Sequence, residues 1–211
     1  SDGFIAKNLI THLQDLDDDI ELLLFNKKSD MKELESMIKT SDFIFHLAGE
    51  NRPDNPIKFS KNNTQLTKDI CKLASENNPV PICFTSSTQA LLDNDYGSSK
   101  LAAENILIDY SKKTSKKSYI YRLPGVFGKW SRPNYNSVVS TFCYNIANNK
   151  KINIILRNIE NNEIKDIIKF RKKCKNKKIK FFIANNPKFA NTCKADGLYI
   201  SAYNKKKYFM N

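Results

Sequence analysis

The chain has 211 residues, of which 40% are hydrophobic, and a formal net charge of +13. That length suits one domain or one and a half. No apolar run approaches the ~20 residues of a membrane helix, and the start, Ser1-Asp2-Gly3-Phe4-Ile5-Ala6-Lys7, lacks the pattern of a secretion signal, so a cytoplasmic protein without membrane association is expected.

In chain order, Ile5, Leu9, Ile10 and Leu13 recur at helical spacing after Gly3. Ile20–Phe25 is expected as a strand, Met31–Ile38 as a short helix, and Phe43–Leu47 as a buried strand running into Ala48-Gly49. A helix is expected over Asn63–Asn77, a strand over Val80–Phe84, a long helix over Tyr96–Tyr110 and a strand over Ser118–Arg122. Strands alternating with helices predict an α/β fold with a parallel sheet. The same alternation continues, with strands at Ile152–Leu156, Ile179–Ile183 and Gly197–Ile200 and helices at Ile164–Cys174 and Pro187–Cys193.

The charge is uneven along this order. Residues 1–149 hold 18 Lys/Arg and 18 Asp/Glu, residues 150–211 hold 17 and 4, and 17 − 4 is the whole excess of 13. Such a change marks a boundary. A basic tail raises nucleic-acid binding as a reading, but regular apolar patterning argues against a solvated arm, and no nucleic-acid partner is expected. The five cysteines are odd in number and form no C-x-x-C pair. They are expected as buried small hydrophobes in a reducing compartment, with no metal site.

Chemistry concentrates in Tyr96-Gly-Ser-Ser-Lys100. Four-residue spacing puts phenol and ammonium on one helix face, where the cation is expected to lower the tyrosine pKa for acid–base work. Taken alone, the pair reads equally as two exposed side chains. It follows Thr85-Ser86-Ser87-Thr88 at the end of a strand, however, where a hydroxyl can bond the same substrate oxygen.

With these motifs in order, the chain resembles the extended short-chain dehydrogenase/reductases, or NAD-dependent epimerase/dehydratases. The blocks are Gly3-Phe4-Ile5-Ala6, His46-Leu47-Ala48-Gly49, Asn63 with Thr67, the Ser87 region, Tyr96/Lys100 and Arg122-Leu123-Pro124-Gly125-Val126-Phe127-Gly128. His46–Pro53, Phe84–Ala90 and Tyr121–Asn136 resemble one subgroup, the capsular-polysaccharide reductases of UDP-linked 4-keto-6-deoxy amino sugars. The resemblance implies a Rossmann-like domain over residues 1–153 and a nicotinamide coenzyme. It implies Tyr96 as proton donor, Lys100 as its pKa-lowering and ribose-holding partner, Ser87 on the same oxygen (Thr88 or Ser86 in other registers), and Asn63 in the proton relay. Gly3, Phe4, Ile5, Ala6, Ala48, Gly49 and Pro124 are implied on the coenzyme. Asn51, Arg52, Lys129, Arg132 and Asn136 are candidates for the sugar nucleotide, and each reads equally as a solvated loop residue. No acid closes Ile20–Phe25, where Asn26-Lys27-Lys28 follows, which favours NADP over NAD. A homodimer is among the expected assemblies.

Against the family pattern, the chain begins inside the glycine turn, and the first strand is expected to be missing. Residues 154–211 resemble consecutive β/α units of thiamine-phosphate synthase-like barrels, through Ile152–Asn158, Lys180–Ala190 and Lys194–Ile200. The family's acidic residue and histidine are replaced there by Asn186 and Tyr199. The alternative to an enzyme is therefore a non-catalytic fusion remnant of two folds.

Overall fold

The computed structural model describes residues 1–16, 19–50, 60–157 and 164–201. They form two compact units, 1–137 and 138–211. In the first, helix α1 (Phe4–Leu16) precedes α2 (Met31–Thr40) and strand β1 (Ile44–His46). A π-helical turn (Ser60–Gln65) leads into α3 (Leu66–Asn77), followed by β2 (Ile82–Ser87), a 3-10 turn (Thr88–Leu91), α4 (Asp95–Thr114) and β3 (Ser118–Leu123). The three strands are parallel in the order β1-β2-β3. Parallel neighbours require crossovers, and α3 and α4 supply them.

Local chemistry sets the helix ends. Asp30 Oδ1 accepts from the amides of Lys32 and Glu33, both at 2.8 Å, while the Glu33 carboxylate accepts the Asp30 amide at 3.3 Å. This reciprocal cap satisfies donors that the first turn of α2 leaves open. Asn94 caps α4 through the Gly97 amide at 2.8 Å, and Ser115 closes that helix in the left-handed conformation. The core packs Leu34, Ile38, Ile70, Ala74, Ile82, Phe84, Ala103 and Leu107 together. Tyr110 pins α4 to the entry of β2: its hydroxyl donates to the Val80 carbonyl at 2.6 Å and accepts the Val80 amide at 2.9 Å.

Two expectations need correction. Ile20–Phe25 is not a strand. A strand exists only as one side of a ladder, and none of the ladders among the described residues includes this segment; Phe25 instead packs on the core and its carbonyl accepts the Ser1 amine at 2.6 Å. The strand expected to end at Thr85-Ser86-Ser87 does so, with pairing to β3 continuing to Ser87 opposite Leu123. Of the cysteines, Cys71, Cys174 and Cys193 are buried, but Cys83 is only half-buried and Cys143 is exposed.

The second unit contains α5 (Val138–Ala147), which sequence reading left unassigned, then β4 (Asn153–Leu156), α6 (Ile164–Asn176), β5 (Lys180–Ala184), α7 (Pro187–Thr192) and β6 (Gly197–Tyr199). Its strands are also parallel, in the order β4-β5-β6. Phe181, Ile183, Ile167, Phe189 and Cys193 form its core.

Candidate active site

The polar cluster lies at the carboxyl ends of β1 and β2 and along one face of α4, the place where open parallel sheets bind ligands. Even-numbered residues of β2 face the helices, so Ile82 and Phe84 fill the core and Ser86 follows them inward. Tyr96, Lys100 and Glu104 recur at four-residue intervals on α4 and share a face.

Each of the three meets a successive residue of β2. Lys100 Nζ donates to the Thr85 carbonyl at 2.9 Å and lies 4.7 Å from the centre of the Phe84 ring. The Ser86 hydroxyl donates a short hydrogen bond to the Glu104 carboxylate. The Ser87 hydroxyl hydrogen-bonds the Tyr96 phenol. Arg122, opposite Ser86 in the β2–β3 register, closes the far side: its Nη2 donates to Glu104 Oε2 at 2.6 Å and its Nε to Oε1 at 2.9 Å.

Asn63 joins this cluster from the π-helical turn, a distortion frequent at functional sites. It is buried, accepts the Glu50 amide at 2.7 Å, and donates to the Glu50 carbonyl at 2.9 Å and to Ser99 Oγ at 3.1 Å. Ser99 in turn donates to the Tyr96 carbonyl at 2.8 Å. Asn63 therefore clamps the loop after β1 to the first turn of α4. The Thr67 hydroxyl donates to the Asn63 carbonyl at 2.7 Å, so His46 Nε2, 2.8 Å from Thr67 Oγ1, must be the donor of that contact. This fixes the His46 tautomer, with Nε2 carrying the proton.

Burial dominates the electrostatics. Desolvation pushes the Tyr96 phenol above its ordinary value, and the Ser87 hydrogen bond draws it partly back. The expected lowering by Lys100 is not the main influence here; the ammonium is engaged by Thr85. Burial also brings Lys100 down to about 8, against an upward pull from Glu104. Burial alone would raise the Glu104 carboxyl, but the Arg122 and Ser86 hydrogen bonds and the Arg122 and Lys100 charges leave it below the usual range. His46 is lowered to about 3 by burial and by the Lys100 charge.

The remaining candidates are placed as follows. Gly3 precedes α1, and Phe4, Ile5 and Ala6 form its first turn, which carries no acidic residue. Ala48 and Gly49 are exposed after β1; a Cβ on Gly49 would lie 2.9 Å from Lys100 Nζ and 3.5 Å from Asn63 Oδ1. Pro124 is exposed after β3, and Lys129, Arg132 and Asn136 are exposed in the following loop. Lys129 lies over the Trp130 ring and Arg132 over that of Tyr135, while Asn8 Nδ2 ties the Lys129 carbonyl to α1 at 2.9 Å. Asn51 and Arg52 lie outside the described residues.

Sequence reading gave no site role to Glu104, Arg122 or Ser99, and named Ser86 only as a register alternative to Ser87. Glu104 was findable, since it stands one further four-residue step beyond Lys100. Arg122 and Ser86 become partners only through strand register.

Two successive βαβ crossovers with a polar cluster at the strand ends define a Rossmann-like nucleotide-binding domain. The model of the NAD dependent epimerase/dehydratase family matches residues 2–162, and the chain belongs to that family. It is 46% identical over 155 residues to the UDP-2-acetamido-2,6-beta-L-arabino-hexul-4-ose reductase of Pseudomonas aeruginosa, a match covering 73% of this chain and 41% of the reductase. Among solved structures, the capsular polysaccharide assembling protein CapF of Staphylococcus aureus superposes with a TM-score of 0.65 at 36% identity, covering 84% of this chain and 48% of CapF. The UDP-glucose 4-epimerase of Thermotoga maritima, at 17% identity and a TM-score of 0.60 over 73% of this chain and 63% of that one, shares the fold. The chain thus spans less than half the length of the reductase and of CapF. The barrel likeness expected for residues 154–211 finds no support in these matches.

Among the described residues no helix is long and apolar enough to cross a membrane.

Proposed function

We infer that the chain carries the proton-delivering half of a nicotinamide-dependent reductase acting on a UDP-linked 4-keto-6-deoxy amino sugar. The product would serve capsular or surface polysaccharide assembly, and the protein would work in the cytoplasm as a homodimer. The observation that carries this reading is the state of Tyr96, a half-buried phenol held protonated by desolvation, with the Ser87 hydroxyl beside it. A neutral phenol next to a second hydroxyl suits donation to a carbonyl oxygen rather than proton removal. The reductase relative supports the substrate class.

The residues fit a dinucleotide. Gly49 leaves room beside Lys100 and Asn63 that a side chain would fill, and the first turn of α1 offers amides with no competing carboxylate. Gly3, Phe4, Ile5 and Ala6 would face the pyrophosphate, Ala48 and Gly49 the adenine-side ribose, and Lys100 and Pro124 the nicotinamide end. The coenzyme, when bound, supplies a hydride to the C4 carbon. Ser87 orients the C4 oxygen, and Tyr96 gives up its phenolic proton to that oxygen. Asn63, through Ser99, holds the backbone of Tyr96 in place. Lys129, Arg132 and Asn136, with Asn51 and Arg52, would meet the UDP moiety. Lys27 and Lys28 favour NADP over NAD. Residues 1–153 would carry the coenzyme domain and residues 154–211 a separate β/α segment.

The test is oxidation of NADPH by the purified chain in the presence of the 4-keto sugar nucleotide. Tyr96→Phe is expected to lower turnover by about 10²–10⁴-fold while NADPH binding is retained. If the wild-type chain neither binds nor oxidises NADPH and Tyr96→Phe changes nothing, the reductase reading fails and the non-catalytic remnant replaces it.

A further inference from the structure

Three consecutive residues of β2 each bond a different side chain of α4: Thr85 to Lys100, Ser86 to Glu104 and Ser87 to Tyr96. Two of these side chains have assigned work in the reading above. Glu104 has none, yet it is 3% exposed and charged. Burying a carboxylate is costly unless it is paired and hydrogen-bonded, and Glu104 is met by two donors of Arg122 and by Ser86. A chain that needed only packing at this site would carry an apolar side chain, as Ala103 and Leu107 do on the same helix.

We propose that Glu104 is a positioning residue: gripped by Arg122 and Ser86, its carboxylate sets the register of α4 against β2 and supplies the counter-charge of the Lys100 ammonium. The proposal rests on the assignment of Tyr96 and Lys100 as the working pair. The grip is two-sided. Arg122 holds Glu104 from β3, and Ser86 holds it from β2 at the point where Arg122 and Ser86 are register partners. A slip of α4 by one residue would break all three β2 contacts at once. Around Lys100 stand Tyr96 and Glu104 on its own helix, His46 on β1, the Thr85 carbonyl and Phe84 ring on β2, Asn63 in the π-helical turn and Glu50 after Gly49 in the loop following β1, while Arg122 on β3 is joined through Glu104. His46 is neutral at physiological pH, and the carboxylate whose charge acts on Lys100 is Glu104.

The experiment follows the protonation of Lys100 itself, by NMR of the full chain with isotope-labelled lysine. The signal is assigned by its loss in Lys100→Arg. Glu104→Gln keeps the size and an acceptor for Ser86 but removes the charge. It is expected to lower the midpoint of the Lys100 titration, making the ammonium on the order of tenfold less populated at a given pH. Arg122→Gln leaves Glu104 its charge and is expected to move the midpoint the other way. An unchanged or upward-moving midpoint in a folded Glu104→Gln overturns the proposal. Should that variant fail to fold, Arg122→Gln decides alone, and a midpoint that stays put or falls overturns it. A role confined to packing would lower stability in both variants without these opposite displacements. Because the titration needs no coenzyme, failure of NADPH binding in the wild type would remove the reductase reading without deciding this one.

Discussion

Two parallel three-stranded sheets in this chain are built by the same βαβ connections, yet their interiors differ in kind. Every buried polar or charged residue among those described belongs to the first unit: His46, Asn63, Thr67, Ser86, Ser87, Ser99, Lys100 and Glu104. The described core of the second is Phe181, Ile183, Ile167, Phe189, Ala190 and two cysteines. Its one described ion pair, Arg171 to Asp196 at 2.7 Å, stays partly exposed, with Asp196 also accepting the Phe181 amide at 2.8 Å. Buried polar groups are costly unless each is satisfied. The first unit carries that cost in two hydrogen-bonded groups, one of Glu50, Asn63, Ser99, Thr67 and His46 and one of Ser86, Glu104 and Arg122, with Lys100 on the Thr85 carbonyl. Desolvated titratable groups in a strand-end cluster point to chemistry, whereas an apolar interior of the same architecture serves packing.

Acid titration is the strongest way to break this contrast. Unfolded His46 titrates near its ordinary value of 6.5, but folded His46 stays neutral down to about 3. Between those values the unfolded chain binds the extra proton, so stability of the first unit falls as pH falls through that window, by at most on the order of 5 kcal/mol. Glu104, held below its ordinary value, adds a loss in the same direction at more acid pH. Both histidines and the single tryptophan of the chain lie in residues 1–137, so denaturant midpoints read from Trp130 fluorescence across pH report on this unit. His46→Gln is expected to flatten the limb, and an unaltered limb would detach acid sensitivity from the buried network.

Phe181→Ala probes the apolar side of the comparison. Phe181 is fully buried, and its truncation is expected to cost about 3–5 kcal/mol. Peptide-resolved hydrogen exchange should speed up over residues 180–184 and 197–199, while the acid limb read from Trp130 stays where it was. Movement of that limb would mean that the two interiors are not separate.

The smallest effect concerns Gly97. A Cβ there would meet the Gln89 carbonyl oxygen at 2.1 Å and that of Leu92 at 2.8 Å, both backbone atoms with little freedom to retreat. Gly97→Ala is expected to destabilise the first unit by about 1–3 kcal/mol and, by displacing the neighbouring Tyr96, to reduce turnover more than stability. Thermal melts alongside NADPH oxidation separate the two, and a rate loss no larger than the stability loss explains would show Tyr96 unmoved.

Much of the architecture was legible in the residues. Apolar patterning located α2, α3, α4 and α6 because that signal acts within a turn or two of chain. The ordered motifs from Gly3 to Gly128 carried the family, and Tyr96 and Lys100 stood out through their spacing. Where the sequence misled, the cause was always a partner distant in the chain. Ile20–Phe25 has the composition of a strand, but composition supplies no ladder. Lys100 was expected to act on the phenol through four-residue spacing; the fold gave its ammonium to the Thr85 carbonyl and left burial and Ser87 to set Tyr96. The sequence by itself thus determined the family and the order of most elements, and it singled out Tyr96 and Lys100 by their spacing, since these rest on local pattern. Only the tertiary structure decided which groups surround that pair, the Thr85 carbonyl at Lys100 and Ser87 at Tyr96, and how deeply both are buried, because desolvation and strand register are properties of what surrounds a side chain, not of the residues beside it in sequence.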